Sequence, residues 1–193
     1  MRRLDLVVGP NGAGKSTFVA QRLAPLLPGS SFVNADDLAR QRWPRSPEEH
    51  SYEAARIAAT IRDALLERGE SFIAETVFSH PSKLEFVDRA RRADYVVVLH
   101  VLLVPVELSV ARVAERAVEG GHRVPEDKIR ARFDRLWPLV AQAVARADHA
   151  TVYDNTAADV TRIVARFAGG EQVGDANWPS WTPVSLIGQV EQN

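Results

Sequence analysis

A chain of 193 residues with 46% apolar side chains suits one ordinary domain core, with room for a small appendage. A formal net charge of −1 excludes a nucleic-acid binder driven by bulk charge, and the absence of cysteine excludes a disulfide framework or a thiolate metal site. No apolar run reaches membrane-spanning length and residues 1–8 are too short for a signal peptide, so the expected setting is the cytoplasm, with neither membrane nor nucleic acid as partner.

Leu4 to Val8 reads as a short strand. It runs into Gly9-Pro10-Asn11-Gly12-Ala13-Gly14-Lys15-Ser16-Thr17, which fits the phosphate-loop pattern G-x-x-x-x-G-K-[ST]. Thr17 to Leu27 reads as a helix with Phe18, Leu23 and Leu26 on its apolar face. A glycine-rich turn between strand and helix lets successive backbone N–H groups point inward, and the helix start adds partial positive charge. Lys15 is expected to reach the β- and γ-phosphates of ATP, and the Ser16 hydroxyl to ligate Mg²⁺.

Ser31 to Asn34 is expected to be a second strand, followed by Ala35-Asp36-Asp37. Ser46-Pro47-Glu48-Glu49 has the composition of a capping box and predicts a helix running to Gly69. A third strand at Ser71 to Ala74 ends in Glu75-Thr76, and Ser79-His80-Pro81 starts another helix. Tyr95 to Val104 is the most continuously apolar segment and suits a central parallel strand. Helices are expected over Val106 to Glu119 and from Pro125, on either side of Gly120-Gly121-His122. Ala150 to Tyr153 reads as a fifth strand and Asn155 to Phe167 as a last helix. The alternation predicts a three-layer α/β/α sandwich on a mostly parallel five-stranded sheet, with the functional edge at the strands' C-terminal ends. This core spans residues 1–168 with a helical lid near 106–135. Residues 169–193 form a tail whose Trp178 and Trp181 are expected to pack on the domain.

Asp36 follows the second strand on the phosphate-loop edge. It can accept a proton from an attacking hydroxyl, hold Mg²⁺ through water, or cap a helix. Glu75 on the same edge can ligate Mg²⁺ through water, hold a substrate hydroxyl beside Thr76, or pair with an arginine. Arg112 and Arg116 lie four apart on one helix face, and Arg116, Arg123 and Arg132 bracket the glycine break; lid arginines can neutralise a transferring phosphoryl group, or simply form helix-surface pairs such as Arg130 with Asp134 or Glu115 with Arg112. His122 is a substrate contact or a turn residue. A transporter-type ATPase would need a Leu-Ser-Gly-Gly signature and a strand ending in Asp-Glu, and the chain has neither. A nucleotide-gated binding module and a nucleoside or nucleotide kinase are the other readings.

Four stretches together resemble the zeta toxin family of phosphate-loop kinases: Gly9 to Thr17, Val33 to Asp36, Phe72 to Thr76, and Arg116 through Gly120-Gly121-His122-Arg123 to Phe133. The resemblance implies ATP-dependent phosphorylation of the 3′-hydroxyl of UDP-N-acetylglucosamine, and a protein antitoxin as partner. It implies Asp36 as general base, Lys15 as phosphate clamp, and Arg116 and Arg132, with Arg123, as lid charges.

Overall fold

The computed structural model describes residues 1–118, 124–157 and 160–190. Strand β1 (Arg2–Val8) leads into a short helix α1 (Lys15–Phe18) that continues as a π-helical turn, Val19–Leu23. Then follow β2 (Ser31–Val33), α2 (Ala35–Arg42), α3 (Ser51–Arg68), β3 (Phe72–Thr76), α4 (Ser82–Arg92), β4 (Tyr95–Leu103), α5 (Val106–Val118), α6 (Glu126–Arg146), β5 (His149–Asp154), β6 (Arg162–Ala168), β7 (Glu171–Gln172) and α7 (Val184–Val190). Among the described residues the strands form one seven-stranded sheet in the order β2-β3-β1-β4-β5-β6-β7. The pairs from β2 to β5 are parallel, and β6 and β7 add on antiparallel.

Alternation along β1 explains the layers. Leu4, Leu6 and Val8 enter the larger core with Ala58 and Leu65 of α3, Val87 of α4, and Leu136 and Trp137 of α6. Val7 enters a smaller core beneath Phe18, Val19 and Leu23. The chain leaves β1 for the β2 edge, returns to β3 beside β1, then crosses to β4 on the other side. Beyond the strands' C-terminal ends this reversal opens a crevice, and the glycine loop lies in it.

Four expectations are corrected. The sheet has seven strands rather than five, because residues 162–168 are strand β6 and not part of a helix. Val160, Ile163, Val164 and Phe167 mimic a helical period. The register with β5 shifts between Val152 and Tyr153, so Val152 faces Ala165 while Tyr153 faces Ile163. This irregularity leaves Val164 as an extra residue and lets adjacent Val164 and Ala165 both be buried. The first helix starts at Lys15 and turns π-helical, with the Ala24 N–H donating to the Val19 carbonyl at 2.8 Å. That winding puts Phe18 and Leu23, five apart, on one buried face and leaves Leu26 76% exposed. The helix expected from Ser46 begins only at Ser51, because Trp43 stacks on His50 at 4.4 Å and holds the intervening residues in turns. The helix expected from residues 79–81 begins at Ser82, with Pro81 at its N-cap.

Residues 169–190 do not stand apart from the sheet. Strand β7 pairs with β6, Trp178 and Trp181 pack against the larger core, and Leu186 of α7 is fully buried. No described helix is long and apolar enough to cross a membrane.

Beneath α1 the sheet carries a buried polar group. The Asp5 carboxylate accepts from His100 Nε2 at 2.9 Å and from Arg3 Nε and Nη2 at 2.6 and 2.7 Å. Burial pushes the Asp5 pKa up, but these donors and their charges hold it below its usual 3.8. Its stabilising contribution is therefore present above 3.8 and is lost as pH falls through the lower folded value. Replacing Asp5 with Asn is expected to cost about 2 kcal/mol at neutral pH and to flatten the acid limb of stability. Urea unfolding across the acid range checks this; an unchanged slope in the variant would refute it.

Candidate nucleotide and acceptor cleft

The phosphate loop is held from behind through its carbonyls. Pro10 O accepts from Lys15 Nζ at 2.9 Å and from the Ala13 N–H at 3.2 Å. Asn11 O accepts from the Ser109 hydroxyl, Gly12 O from Arg112 Nη1 at 3.4 Å, and Ala13 O from Asn155 Nδ2 at 2.7 Å. Arg112 also donates to the carbonyls of Asn155 and Thr156 at 3.0 and 2.9 Å, and the Thr161 hydroxyl fixes Asn155 Oδ1 at 2.8 Å. With four successive carbonyls engaged, the loop amides other than that of Ala13 are what remains for an anion. Gly14 has φ +79°, and a Cβ there would lie 2.7 Å from Asn155 Nδ2, so both backbone and packing demand glycine.

Parallel register carries the next residues to this edge. Glu75 lies beside Val7, near the end of β1. Its Oε2 accepts from the Ser16 hydroxyl at 2.8 Å and from Asn34 Nδ2 at 2.9 Å, and its Oε1 lies 3.9 Å from Lys15 Nζ. Asn34 also caps α2, its Oδ1 accepting from the Asp36 and Asp37 N–H groups at 2.7 and 3.4 Å. The carboxylate of Asp36 is thus not the cap. It is exposed, makes no hydrogen bond or ion pair among the described residues, and lines the same cleft as Lys15. Asp37 instead pairs with Arg40.

The cleft has a volume of about 830 Å³. Gly12, Gly14, Lys15, Ser16, Thr17 and Asn11 line it, as do Asp36, Glu75, Thr76, Arg116 and Arg132. Gly9, Pro10 and Ala13 build the loop behind this wall. Arg116 and Arg132 have no ion pair among the described residues. The surface pairs expected for Arg130 and Arg112 do not form: Arg130 binds Glu107 and Glu126, and Arg112 is spent on loop carbonyls. His122 and Arg123 lie outside the described residues.

Two buried charges face each other here. Burial lowers the Lys15 pKa below its usual 10.5, against the pull of Glu75 and Asp36 and helped by Arg116. Burial raises Glu75 above its usual 4.5, opposed by Lys15 and the Ser16 hydroxyl and reinforced by Asp36 and Asp37. The oxygens of Ser16 and Glu75 are hard donors of the type Mg²⁺ takes. Among the described residues no cluster of three or more His, Cys, Asp or Glu side chains could hold a metal ion.

Sequence reading missed the parts that act through backbone. Nothing in the local sequence around Ser109, Arg112 and Asn155 marks them as donors to the loop carbonyls. Only Asn34 carried a usable signal, as an Asn directly before a helix opening with two acids.

The Asn34→Ala protein is expected to lose about 1 kcal/mol of stability with its cap. It should also bind nucleotide less tightly in the presence of Mg²⁺, because Glu75 and Ser16 lose their shared donor; denaturant unfolding and titration with a fluorescent nucleotide read the two effects. Glu75, with its raised folded pKa, contributes stability below 4.5 that is lost as pH rises through the folded value. Nucleotide-free Glu75→Gln should therefore lose less stability than the parent between mildly acid and neutral pH. A steeper loss in the variant would contradict the sign.

Comparison with known proteins places this geometry in a family. A family model described as an AAA domain matches residues 4–139. An uncharacterised protein of Haemophilus influenzae is 26% identical over 126 residues, 65% of this chain and 88% of that protein. Among solved structures, the AvrRxo1-ORF1:ORF2 complex with ATP is similar at TM-score 0.70 and 18% identity over 91% of this chain; the chain spans only 61% of the length of that relative. The PezAT chromosomal toxin–antitoxin system of Streptococcus pneumoniae matches at TM-score 0.62 and 13% identity, over 100% of this chain and 84% of that one. Shikimate kinase from Acinetobacter baumannii, in complex with shikimate, matches at TM-score 0.51 and 25% identity, over 73% and 79%. The fold is that of phosphate-loop kinases, and the chain belongs to the AAA domain family.

Proposed function

We propose that the protein is an ATP-dependent small-molecule kinase of the zeta toxin type. In this reading it transfers the γ-phosphate of ATP to a hydroxyl of a UDP-amino sugar, the 3′-hydroxyl of UDP-N-acetylglucosamine, and a protein antitoxin restrains it. The observation that carries the kinase reading is one cleft lined by Lys15 and Ser16, by an unengaged Asp36 carboxylate, and by Arg116 and Arg132. The shared fold with a toxin–antitoxin system supports the partner, and the motif resemblance supports the acceptor.

Each residue has a separate task. Loop amides and Lys15 bind and orient the β- and γ-phosphates. Mg²⁺, held by Ser16 with Glu75 beside it, supplies charge neutralisation to the phosphates when bound. Asp36 takes the proton of the acceptor hydroxyl as its oxygen bonds to the γ-phosphorus. The bond between that phosphorus and the β–γ bridging oxygen breaks, and ADP leaves. Arg116 and Arg132 close on the transferring group as part of a lid spanning 106–135, with His122 and Arg123 as further acceptor contacts. Thr76 orients the acceptor.

Incubation with γ-labelled ATP and a panel of UDP-sugars, nucleosides and nucleotides tests the reading by showing which compound takes the label. Asp36→Asn should keep nucleotide affinity and lose transfer by about 10²–10⁴-fold. Removing Arg116 or Arg132 should slow transfer by roughly 10³-fold. Lys15→Ala should abolish turnover. Full transfer activity in Asp36→Asn would place the base elsewhere, and normal turnover in Lys15→Ala would remove the kinase reading.

A further inference from the structure

Beyond Asp36 the cleft wall carries two cations that phosphate-loop chemistry does not use. Arg62 of α3 is 6% exposed, yet it has no hydrogen bond or ion pair among the described residues. Its acidic neighbour Asp63 is engaged by Arg89 at 2.9 Å. The guanidinium is held instead over the Phe86 ring, 5.2 Å from its centroid. Phe86 and Lys83 are three apart on α4 and so share a face, which brings the Lys83 ammonium to the same wall. Lys83 likewise lacks a described partner. Burial, and then the neighbouring Arg62, push its pKa below the usual range.

A cation–π contact recovers less than a buried guanidinium loses by leaving water. A second cation beside it raises the cost. Both groups open onto the cleft, so a bound oxyanion is the partner that balances them.

We infer that Arg62 and Lys83 form an anion subsite in the acceptor half of the cleft, and that the phosphate acceptor carries a carboxylate or phosphate group seated there. The inference rests on the kinase reading for what the bound molecule is, and adds where that molecule's anionic group sits and which side chains hold it. The guanidinium offers a planar fork to two oxygens, and the ammonium offers a third, movable donor. The subsite selects anionic hydroxyl compounds over neutral ones of the same shape and sets the acceptor's reach toward Asp36.

The test uses the full chain saturated with Mg²⁺ and the β,γ-imido analogue of ATP, which fills the phosphate-loop site. Inorganic phosphate and acetate are titrated separately while the Arg62 Nε–H resonance is followed. A saturable shift with either anion is expected, and the tighter anion identifies phosphate or carboxylate as the group recognised. Lys83→Met should weaken the binding by at least about tenfold. Arg62→Lys should retain part of it, which guards against a variant that fails to fold. No saturable shift with either anion, or unchanged binding in Lys83→Met, would overturn the subsite. Labelled ATP separates the two ideas. Transfer to an acceptor whose KM is the same in Lys83→Met and Arg62→Lys as in the parent keeps the kinase and removes the subsite. Saturable anion binding at Arg62 with no transfer to any hydroxyl compound keeps the subsite and removes the kinase.

Discussion

Everything in the cleft depends on how the phosphate loop's carbonyls are satisfied. Peptide groups are bipolar, so a loop can show amides to an anion only if its carbonyls find donors elsewhere. Here those donors come from distant parts of the chain: Ser109 and Arg112 on α5 and Asn155 after β5, with Lys15 closing back on Pro10. The cradle is therefore a product of the β1, α5 and β5 packing and not of the nine loop residues alone.

The same packing leaves the cleft electrostatically unfinished. Lys15 and Glu75 are both buried, and burial shifts each toward its neutral form. Their separation of 3.9 Å is long for a strong pair. Glu75 leans on Ser16 and Asn34 instead, which keeps its oxygens gathered beside the loop. Arg116 and Arg132 add cations without described partners, and Asp36 stands unengaged between the loop and the far wall. A polyanion entering such a site gains charge-assisted hydrogen bonds from groups that are already positioned and have little to lose. Preorganisation of this kind serves phosphoryl transfer well, because the reaction asks the protein mainly to position and to neutralise.

The two ends of the cleft are built differently. At the nucleotide end, short-range sequence dictates geometry: glycines set the backbone and Lys15 follows within the same turn. At the acceptor end the wall comes from α3 and α4, which pack on the sheet independently of the loop. Arg62 lies over the Phe86 ring, and Lys83 stands three residues before Phe86 on α4, so both line this wall. On the kinase reading proposed above, variation in those two helices would change the acceptor while the loop and β3 stay the same.

Much of the molecule was legible from residue order. The strand–glycine loop–helix unit and the continuous apolar run of β4 are local patterns, and each appears where residue order predicts it; Asp36 lies in the first turn of α2 and Glu75 near the end of β3. Elements whose identity rests on a distant partner were not legible. Residues 162–168 repeat at helical spacing and become a strand because β5 offers an open edge and an irregular register absorbs Val164. Leu26 reads as core until a π-helical turn brings Leu23 onto the Phe18 face. Ser109, Arg112 and Asn155 look like ordinary surface polar residues until the fold sets them against carbonyls about a hundred or more positions away. Sequence by itself determined the anion-binding turn and the parallel α/β layout, because backbone freedom and hydrophobic period are local properties. Tertiary structure alone decided which polar groups hold that turn and which cations wait unpaired, because desolvation and hydrogen-bond satisfaction depend on neighbours that only folding supplies.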